Sequence, residues 1–301
     1  MLTGGPEAVS PARRLRALLA EKRLVRAPGV SDALSARLVE RAGFEAVHLT
    51  GGGLSRQIGF PDVGLVSLTE AVAQARAVAE ATVLPVIADA DSGFGNAINV
   101  MRTVREFEAA GVAAVHLEDQ VTPKRCGHDD GKRLVPAEEM ALKIEAACAA
   151  RRDPDFVIIA RTDARSVEGL EGALERAWAY RKAGADVLFV EAPESPAEVE
   201  AIAATLDGPL LINMHSGGRT PALGTAELRR MGYAIVIFPS HLQRAALFGM
   251  RRALDLLQRE DASAADDPDF MVSFAEREEI AGRSRMAALE ERYLRLDKAR
   301  D

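Results

Sequence analysis

Short runs of β-branched and other apolar residues recur along the chain, separated by longer stretches with helical periodicity. Eight such runs occur: Leu24–Ala27, Ala46–Leu49, Pro85–Ala88, Ala113–Leu117, Phe156–Ala160, Asp186–Val190, Pro209–Ile212 and Ala234–Phe238. Continuous apolar runs suit strands buried on both faces, and parallel strands need helical crossovers between them. The intervening stretches supply those helices with their own punctuation: Ser31 precedes Asp32–Glu40, Ser67 precedes Leu68–Ala81, Pro136 opens Ala137–Ala150, and Glu168–Ala183 ends at Gly184. Ala42-Gly43, Ala110-Gly111 and Ala183-Gly184 each set a glycine where a helix must turn into the next strand. Eight βα repeats joined by right-handed crossovers predict an α/β fold, a closed (β/α)8 TIM barrel over residues 1–260.

Beyond the eighth run, His241–Glu260 reads as the last barrel helix, Asp261–Pro268 as a polar, acidic linker and Met271–Arg300 as a charged helical tail, so that 261–301 forms a C-terminal helical extension. The tail's apolar positions, Leu289, Tyr293, Leu294 and Leu296, make a narrow stripe. Such a stripe suits packing on a neighbouring subunit or on the chain's own barrel.

Composition acts mainly by exclusion. A chain of 301 residues with 48% hydrophobic side chains can bury one large core. With 45 acidic and 38 basic residues, a net charge of −7 and 5% aromatics, it lacks the footprint for nucleic acid or an anionic membrane, and small-molecule chemistry is expected. No apolar run reaches the roughly 18 residues of a membrane helix, and Leu15–Ala20 is too short for an export signal. The two cysteines, Cys126 and Cys148, form neither a disulfide framework nor a zinc motif, which fits a reducing cytoplasm.

In a (β/α)8 barrel the chemistry sits at the C-terminal strand ends. The second run ends in Thr50-Gly51-Gly52-Gly53, whose backbone N–H groups can hold a carboxylate or phosphate oxygen. The third ends in Asp89-Ala90-Asp91, which strand alternation sends to one face, and the fourth in His116-Leu117-Glu118-Asp119. Asp89, Asp91 and Glu118, with Asp62 nearby, offer hard oxygen donors without a competing His or Cys, a set suited to Mg2+, with Mn2+ as a substitute. In the loop Lys124-Arg125-Cys126-Gly127-His128, basic neighbours are expected to lower the thiol pKa. Arg161, at the fifth strand end, suits bidentate carboxylate binding, while Asn213, Ser216 and Thr220 after the seventh can hold a second carboxylate. Asp163, Arg165 and His116 suit structural pairing. The six lysines lie on helices or in loops, none at a strand end, which disfavours a Schiff-base aldolase and favours a metal-stabilised enolate.

These residues resemble the isocitrate lyase/phosphoenolpyruvate mutase superfamily over about residues 12–300. The resemblance rests on Gly51-Gly52, Pro61-Asp62, Asp89-Ala90-Asp91 with its Gly-Phe-Gly, His116-Leu117-Glu118-Asp119-Gln120, Lys124 to His128, and Ala160 to Ala164. It implies that Asp89, Asp91 and Glu118 hold Mg2+ directly or through water, that Gly51 and Gly52 bind a 2-oxo acid carboxylate with Arg161 on the same half, and that the chain forms a homotetramer, a dimer of helix-swapped dimers. The loop looks like that of the lyases, in which the cysteine protonates an enolate stabilised here around Glu191 and Asn213. Cys126, Arg161, Glu118 and His128 then form the catalytic set. Thr50, Gly51, Gly52, Asp62, Gly127, Arg161, Glu191, Asn213 and Ser216 form the substrate-binding set. The implied activity is Mg-dependent carbon–carbon cleavage of a 2-hydroxy di- or tricarboxylic acid, of the 2-methylisocitrate or 2,3-dimethylmalate type, to pyruvate or glyoxylate plus a second acid. Carboxyphosphonoenolpyruvate phosphonomutase and oxaloacetate hydrolase chemistry remain open, with a non-catalytic barrel more remote. His215-Ser216 and Pro239-Ser240-His241 depart from the usual pattern where the variable half of the substrate belongs.

Overall fold

The computed structural model describes residues 9–259 and 270–294, so the expected 260/261 boundary, the 261–268 linker and Leu296 lie outside the described residues. The chain divides into two compact units, one ending at Gln243 and the other beginning at Arg244.

The first unit is a closed barrel of eight parallel strands in sequential order: β1 (Val25–Val30), β2 (Val47–Leu49), β3 (Val86–Asp89), β4 (Ala114–Glu118), β5 (Val157–Thr162), β6 (Val187–Val190), β7 (Leu210–Asn213) and β8 (Ile235–Phe238), with β1 pairing both β2 and β8. Every expected strand is present within a few residues. Side-chain parity divides each strand between two cores. Ile87, Ala114, Val157, Ile159, Val187, Phe189, Leu211, Ile235 and Ile237 fill the lumen, while their neighbours Ala88, Val115, Ile158, Leu188, Ile212 and Val236 pack beneath the helices. Burying each large apolar side chain stabilises the fold by about 1.5–3 kcal/mol. The apolar patch near the start belongs to α1 (Pro11–Ala20), whose fully buried Leu15 joins the lumen core and stops its lower end.

The crossover helices follow their caps. Ser67 and Glu70 form a reciprocal capping box on α4 (Leu68–Ala81). In α2 (Ala33–Arg41) the cap is Asp32 rather than Ser31, because the Asp32 carboxylate accepts from Ser35 N at 2.8 Å. The Thr-Gly-Gly-Gly segment is not an open loop: Thr50 caps a short helix, α3 (Gly51–Gln57). Next come α5 (Ala97–Ala109), α6 (Ala137–Ala150) and α7 (Arg165–Lys182), which begins earlier than expected and is broken at Gly169, where φ is +81°. Helices α8 (Pro196–Thr205) and α9 (Thr225–Met231) complete the ring.

Helix α10 (His241–Arg259) crosses the division between the units. In the second unit Arg252 lies 4.4 Å from the centre of the Phe270 ring. The expected continuous tail is instead two helices, α11 (Phe274–Ala281) and α12 (Arg283–Tyr293), split by left-handed Gly282 at φ +95°. No side chain of α10 or α12 is buried; Leu247, Phe248, Met250, Leu254 and Leu257 are exposed on α10.

Candidate active site

Strand parity explains which polar residues meet. Counting back from the last lumen-filling residues, the inward positions at the upper ends are His48, Asp89, His116, Glu118, Arg161, Phe189, Glu191 and Asn213. Register sets Asp89 beside His116 and Glu118 beside Arg161. Asp119 takes the opposite parity and is buried outside the lumen, accepting from Thr162 Oγ1 at 2.7 Å and Tyr180 OH at 2.8 Å. The cleft above the lumen is lined by Thr50, Gly52, Asp62, Asp89, Lys124, Cys126, Gly127, His128, Arg161, Glu191 and Asn213, together with His48, Arg56, His215, Ser240 and Gln243.

The acidic cluster forms, by a route other than strand alternation. β3 ends at Asp89, and Asp91 comes back to it through a left-handed residue, φ +46°, whose N–H donates to Asp89 Oδ1 at 3.0 Å. The glycines are small for a steric reason: a Cβ on Gly51 would lie 2.6 Å from Asp89 Oδ2, and one on Gly52 would lie 2.9 Å from Asp62 Oδ2. Gly51 N also donates to Asp89 Oδ2, at 3.3 Å. Among the described residues no lysine stands at a strand end, as expected, but one reaches the acids from a loop. Lys124 extends in from its loop, fully buried, with Nζ 2.5 Å from Asp62 Oδ1 and 3.0 Å from Asp91 Oδ1. Burial lowers its pKa, but Asp91, Glu118, Asp62 and Asp89 outweigh that and hold it well above the ordinary range. Lys124 is therefore a fixed cation, not a Schiff-base nucleophile.

Burial pushes the carboxyls up, and their partners decide how far. At Asp89, the charges of His116, Lys124 and Arg161 overcome burial and hold the pKa below its usual value. At Asp91, burial with the neighbouring Asp89 and Asp62 outweighs Lys124 and raises it to about 6. Glu118 is raised well above the usual range by burial, against the pull of Arg161. Both Glu118 oxygens are buried without a hydrogen-bond partner, although Arg161 Nη1 is 3.2 Å from Oε2, whereas the buried Asp91 Oδ1 has the Lys124 ammonium at 3.0 Å. Among the described residues, no three His, Cys, Asp or Glu side chains form a ready-made cage for an ion. Mg2+ does not require one, because it keeps several waters and takes only one or two carboxylates.

Arg161 is less free than its sequence position suggests. Its fork is already engaged by Asp163, Nε to Oδ2 at 2.9 Å and Nη2 to Oδ1 at 3.0 Å, with Glu191 Oε2 3.6 Å from Nη2. Asp163 also meets Lys132 Nζ at 3.3 Å, so it is the anchor that aims the guanidinium. Arg165 pairs with Glu198 on the outside, at 2.6 Å.

Opposite the acids lies the loop between β4 and α6. Cys126 and Gly127 line the cleft; a Cβ on Gly127 would lie 2.4 Å from Arg161 Nη2 and 2.6 Å from Glu191 Cγ. The expected lowering of the thiol pKa is overturned. Burial, with Asp62, Asp129 and Glu191 nearby, pushes Cys126 up despite the His128 N–H. His128 Nδ1 accepts from Arg219 N at 3.3 Å, and its Nε2 lies 3.4 Å from both Glu191 Oε1 and Asn213 Nδ2. Asn213 Nδ2 donates to both Glu191 oxygens at 3.3 Å. Ser216 is exposed and does not line the cleft. His215 does, stacked on His128 with ring centres 4.8 Å apart. Cys148 lies on α6, its thiol donating to Gly184 O at 3.2 Å.

Sequence reasoning missed the pair His48 and His116, whose Nε2 atoms are 3.1 Å apart at the cleft floor. Burial pushes His48 down to about 3 and His116 below its usual value, and the two rings face each other there. A histidine inside the apolar strand Val47-His48-Leu49 was the available signal. Ser240 was marked by its departure from the usual pattern; Arg56 and Gln243 carried no signal.

The phosphoenolpyruvate phosphomutase family model matches residues 15–257. A 2,3-dimethylmalate lyase from Eubacterium barkeri is 49% identical over 286 residues, covering 95% of this chain and 99% of that protein. A probable 2-methylisocitrate lyase from Corynebacterium glutamicum is 48% identical over 250 residues, covering 82% of this chain and 81% of that protein. A solved structure of phosphonopyruvate hydrolase in complex with oxalate and Mg2+ has a TM-score of 0.87 at 35% identity, covering 95% of this chain and 100% of that one. With the barrel, the acidic cluster and the cysteine loop in place, the chain belongs to the phosphoenolpyruvate phosphomutase family, within the isocitrate lyase/phosphoenolpyruvate mutase superfamily.

Proposed function

We propose that this enzyme is a carbon–carbon lyase that cleaves a 2-hydroxy di- or tricarboxylic acid, of the 2,3-dimethylmalate or 2-methylisocitrate type, to a 2-oxo acid and a second carboxylic acid. The observation that carries the reading is Cys126, a thiol whose raised pKa keeps its proton at neutral pH, held by its loop in the cleft that Asp89 and Arg161 also line. A mutase that migrates a phosphoryl group has no use for such a donor. A lyase needs one.

The donor set suits a divalent cation: both buried oxygens of Glu118 accept no hydrogen bond, Asp91 Oδ1 meets Lys124, and the donors are hard oxygens. Asp89, Asp91 and Glu118 would hold Mg2+ directly or through water, and the ion would neutralise charge on the carboxylate and oxygen of the 2-oxo acid half. The N–H groups of Gly51 and Gly52 and the Arg161 guanidinium orient that half. A base in the cleft takes the proton of the substrate hydroxyl, the O–H electron pair makes the C2–O bond a carbonyl, and the C2–C3 bond breaks. The electron pair left on C3 spreads onto its carboxylate beside Glu191, Asn213 and His128, and Cys126 Sγ gives its proton to C3.

The homotetramer with exchanged helices is supported by the exposed apolar residues of α10. Light scattering with Phe248→Asp tests it, the expected outcome being dissociation. A cytoplasmic location is supported by the two free cysteines; among the described residues no helix is long and apolar enough to cross a membrane. The function is tested by 2-oxo acid release, with Mg2+ and with chelator, from methylisocitrate, dimethylmalate, citramalate, isocitrate and oxaloacetate. Pyruvate or glyoxylate formed only with metal, and lost in Cys126→Ser with substrate binding retained, is expected. Oxalate and acetate from oxaloacetate would replace the lyase reading by a hydrolase, and a fully active Cys126→Ser would remove the thiol's role.

A further inference from the structure

A second cavity, of about 280 Å3, lies on the other side of the cysteine loop. Its walls are the two arms of that loop, residues 120–125 and 131–133, with Val63, and Lys124 is common to it and to the cleft. Four cationic residues and no carboxylate line it. Two of the four are committed inward: Lys124 to Asp62 and Asp91, and Lys132 to Asp163 and Gly127 O. The other two, Arg125 and Arg133, are exposed, one on each arm, and among the described residues neither side chain has a hydrogen-bond or ion-pair partner.

The arms meet in an antiparallel bridge, Gln120 opposite Leu134. Gln120 clamps the first arm, Nε2 donating to Arg125 O at 2.9 Å and Oε1 accepting from Arg125 N at 3.0 Å. Val121 N donates to Arg133 O at 2.8 Å across to the second. Cys126 follows Arg125 directly, so the position of this arm is also the position of the thiol.

We propose that this cavity is an oxyanion site, separate from the cleft, for a small multiply charged ligand such as phosphate or a short dicarboxylate, bridged by Arg125 and Arg133. Guanidinium groups recognise such oxyanions through paired N–H donors. A ligand spanning both arms holds the loop with Cys126 over the cleft, and it binds more tightly in that arrangement than when the arms part. It therefore shifts the loop toward closure. Closure favours bound substrate and delays product release, so kcat and KM fall together.

The test is calorimetric titration of the metal-free protein with inorganic phosphate and, separately, with malonate at constant ionic strength, for wild type and Arg133→Gln. Wild type is expected to bind at least one of them, with binding weakened about tenfold or more in Arg133→Gln; which anion binds tells phosphate from dicarboxylate. The same anion is expected to lower kcat and KM in parallel in wild type and to have no such effect on Arg133→Gln, whose activity without anion matches wild type. Absence of heat with both anions, equal affinity in the two proteins, or inhibition that is purely competitive and survives Arg133→Gln overturns the proposal. The titration needs no turnover, so its failure is distinguishable from failure of the substrate assignment.

Discussion

Gly51→Ala separates what the barrel needs from what the site needs. Gly51 opens α3 with an ordinary helical backbone, so alanine is compatible with the helix, and its propensity there favours the fold by up to about 1 kcal/mol. The added methyl meets Asp89 instead: its Cβ would stand 2.6 Å from Oδ2, where ordinary contact begins at 3.4 Å. The carboxylate must therefore retreat by about 0.8 Å, and displacements near 1 Å at a reacting centre cost on the order of 100-fold, about 2.7 kcal/mol. It also loses room for the 3.3 Å bond from the residue's N–H. The assay is kcat/KM on the best acid of the panel, with thermal unfolding measured on the same sample. A fall of about two orders of magnitude in kcat/KM with Tm unchanged within a few degrees is expected. Activity within threefold of wild type would refute the view that Asp89 must stay where Gly51 lets it stand. A large fall in Tm would show that the site is limited by folding instead.

Asp163→Ala leaves Arg161 and Lys132 buried without their shared anion, and breaking such a cluster costs about 3–5 kcal/mol; chemical denaturation should register that loss, while a shift under 1 kcal/mol contradicts the anchoring role. In a Cys148→Ser background, alkylation of Cys126 should be slower at pH 8 than that of a free thiol and should keep rising above pH 9, because a raised pKa leaves less thiolate at any given pH; a plateau below pH 8 would contradict the protonated donor. Mg2+ at about 100 times its Kd should stabilise the fold by about 2.7 kcal/mol in thermal scans, reversibly with chelator, and Asp89→Asn should abolish the effect.

Much of this protein was legible in its sequence because the requirement is periodic. A strand buried on both faces must be apolar throughout, a crossover helix must be capped, and a helix must end where a residue can take positive φ; Ser67, Gly43, Gly111 and Gly184 meet those needs within a few residues of themselves. The acids Asp89 and Glu118 were legible for the same reason, as polar residues ending apolar runs. Tertiary structure alone decided the rest. Lys124 reaches the acids from a loop, so no strand periodicity could place it. Whether Arg161 offers its fork to a ligand depends on Asp163, held in turn by Lys132 from a different loop. The direction of the Cys126 shift was misjudged because neighbours in sequence are basic, whereas burial and Asp62, Asp129 and Glu191 decide it in space. Sequence fixes what each segment must bury locally. Desolvation and charge pairing are sums over groups from every strand end, and only the closed barrel determines which groups enter them.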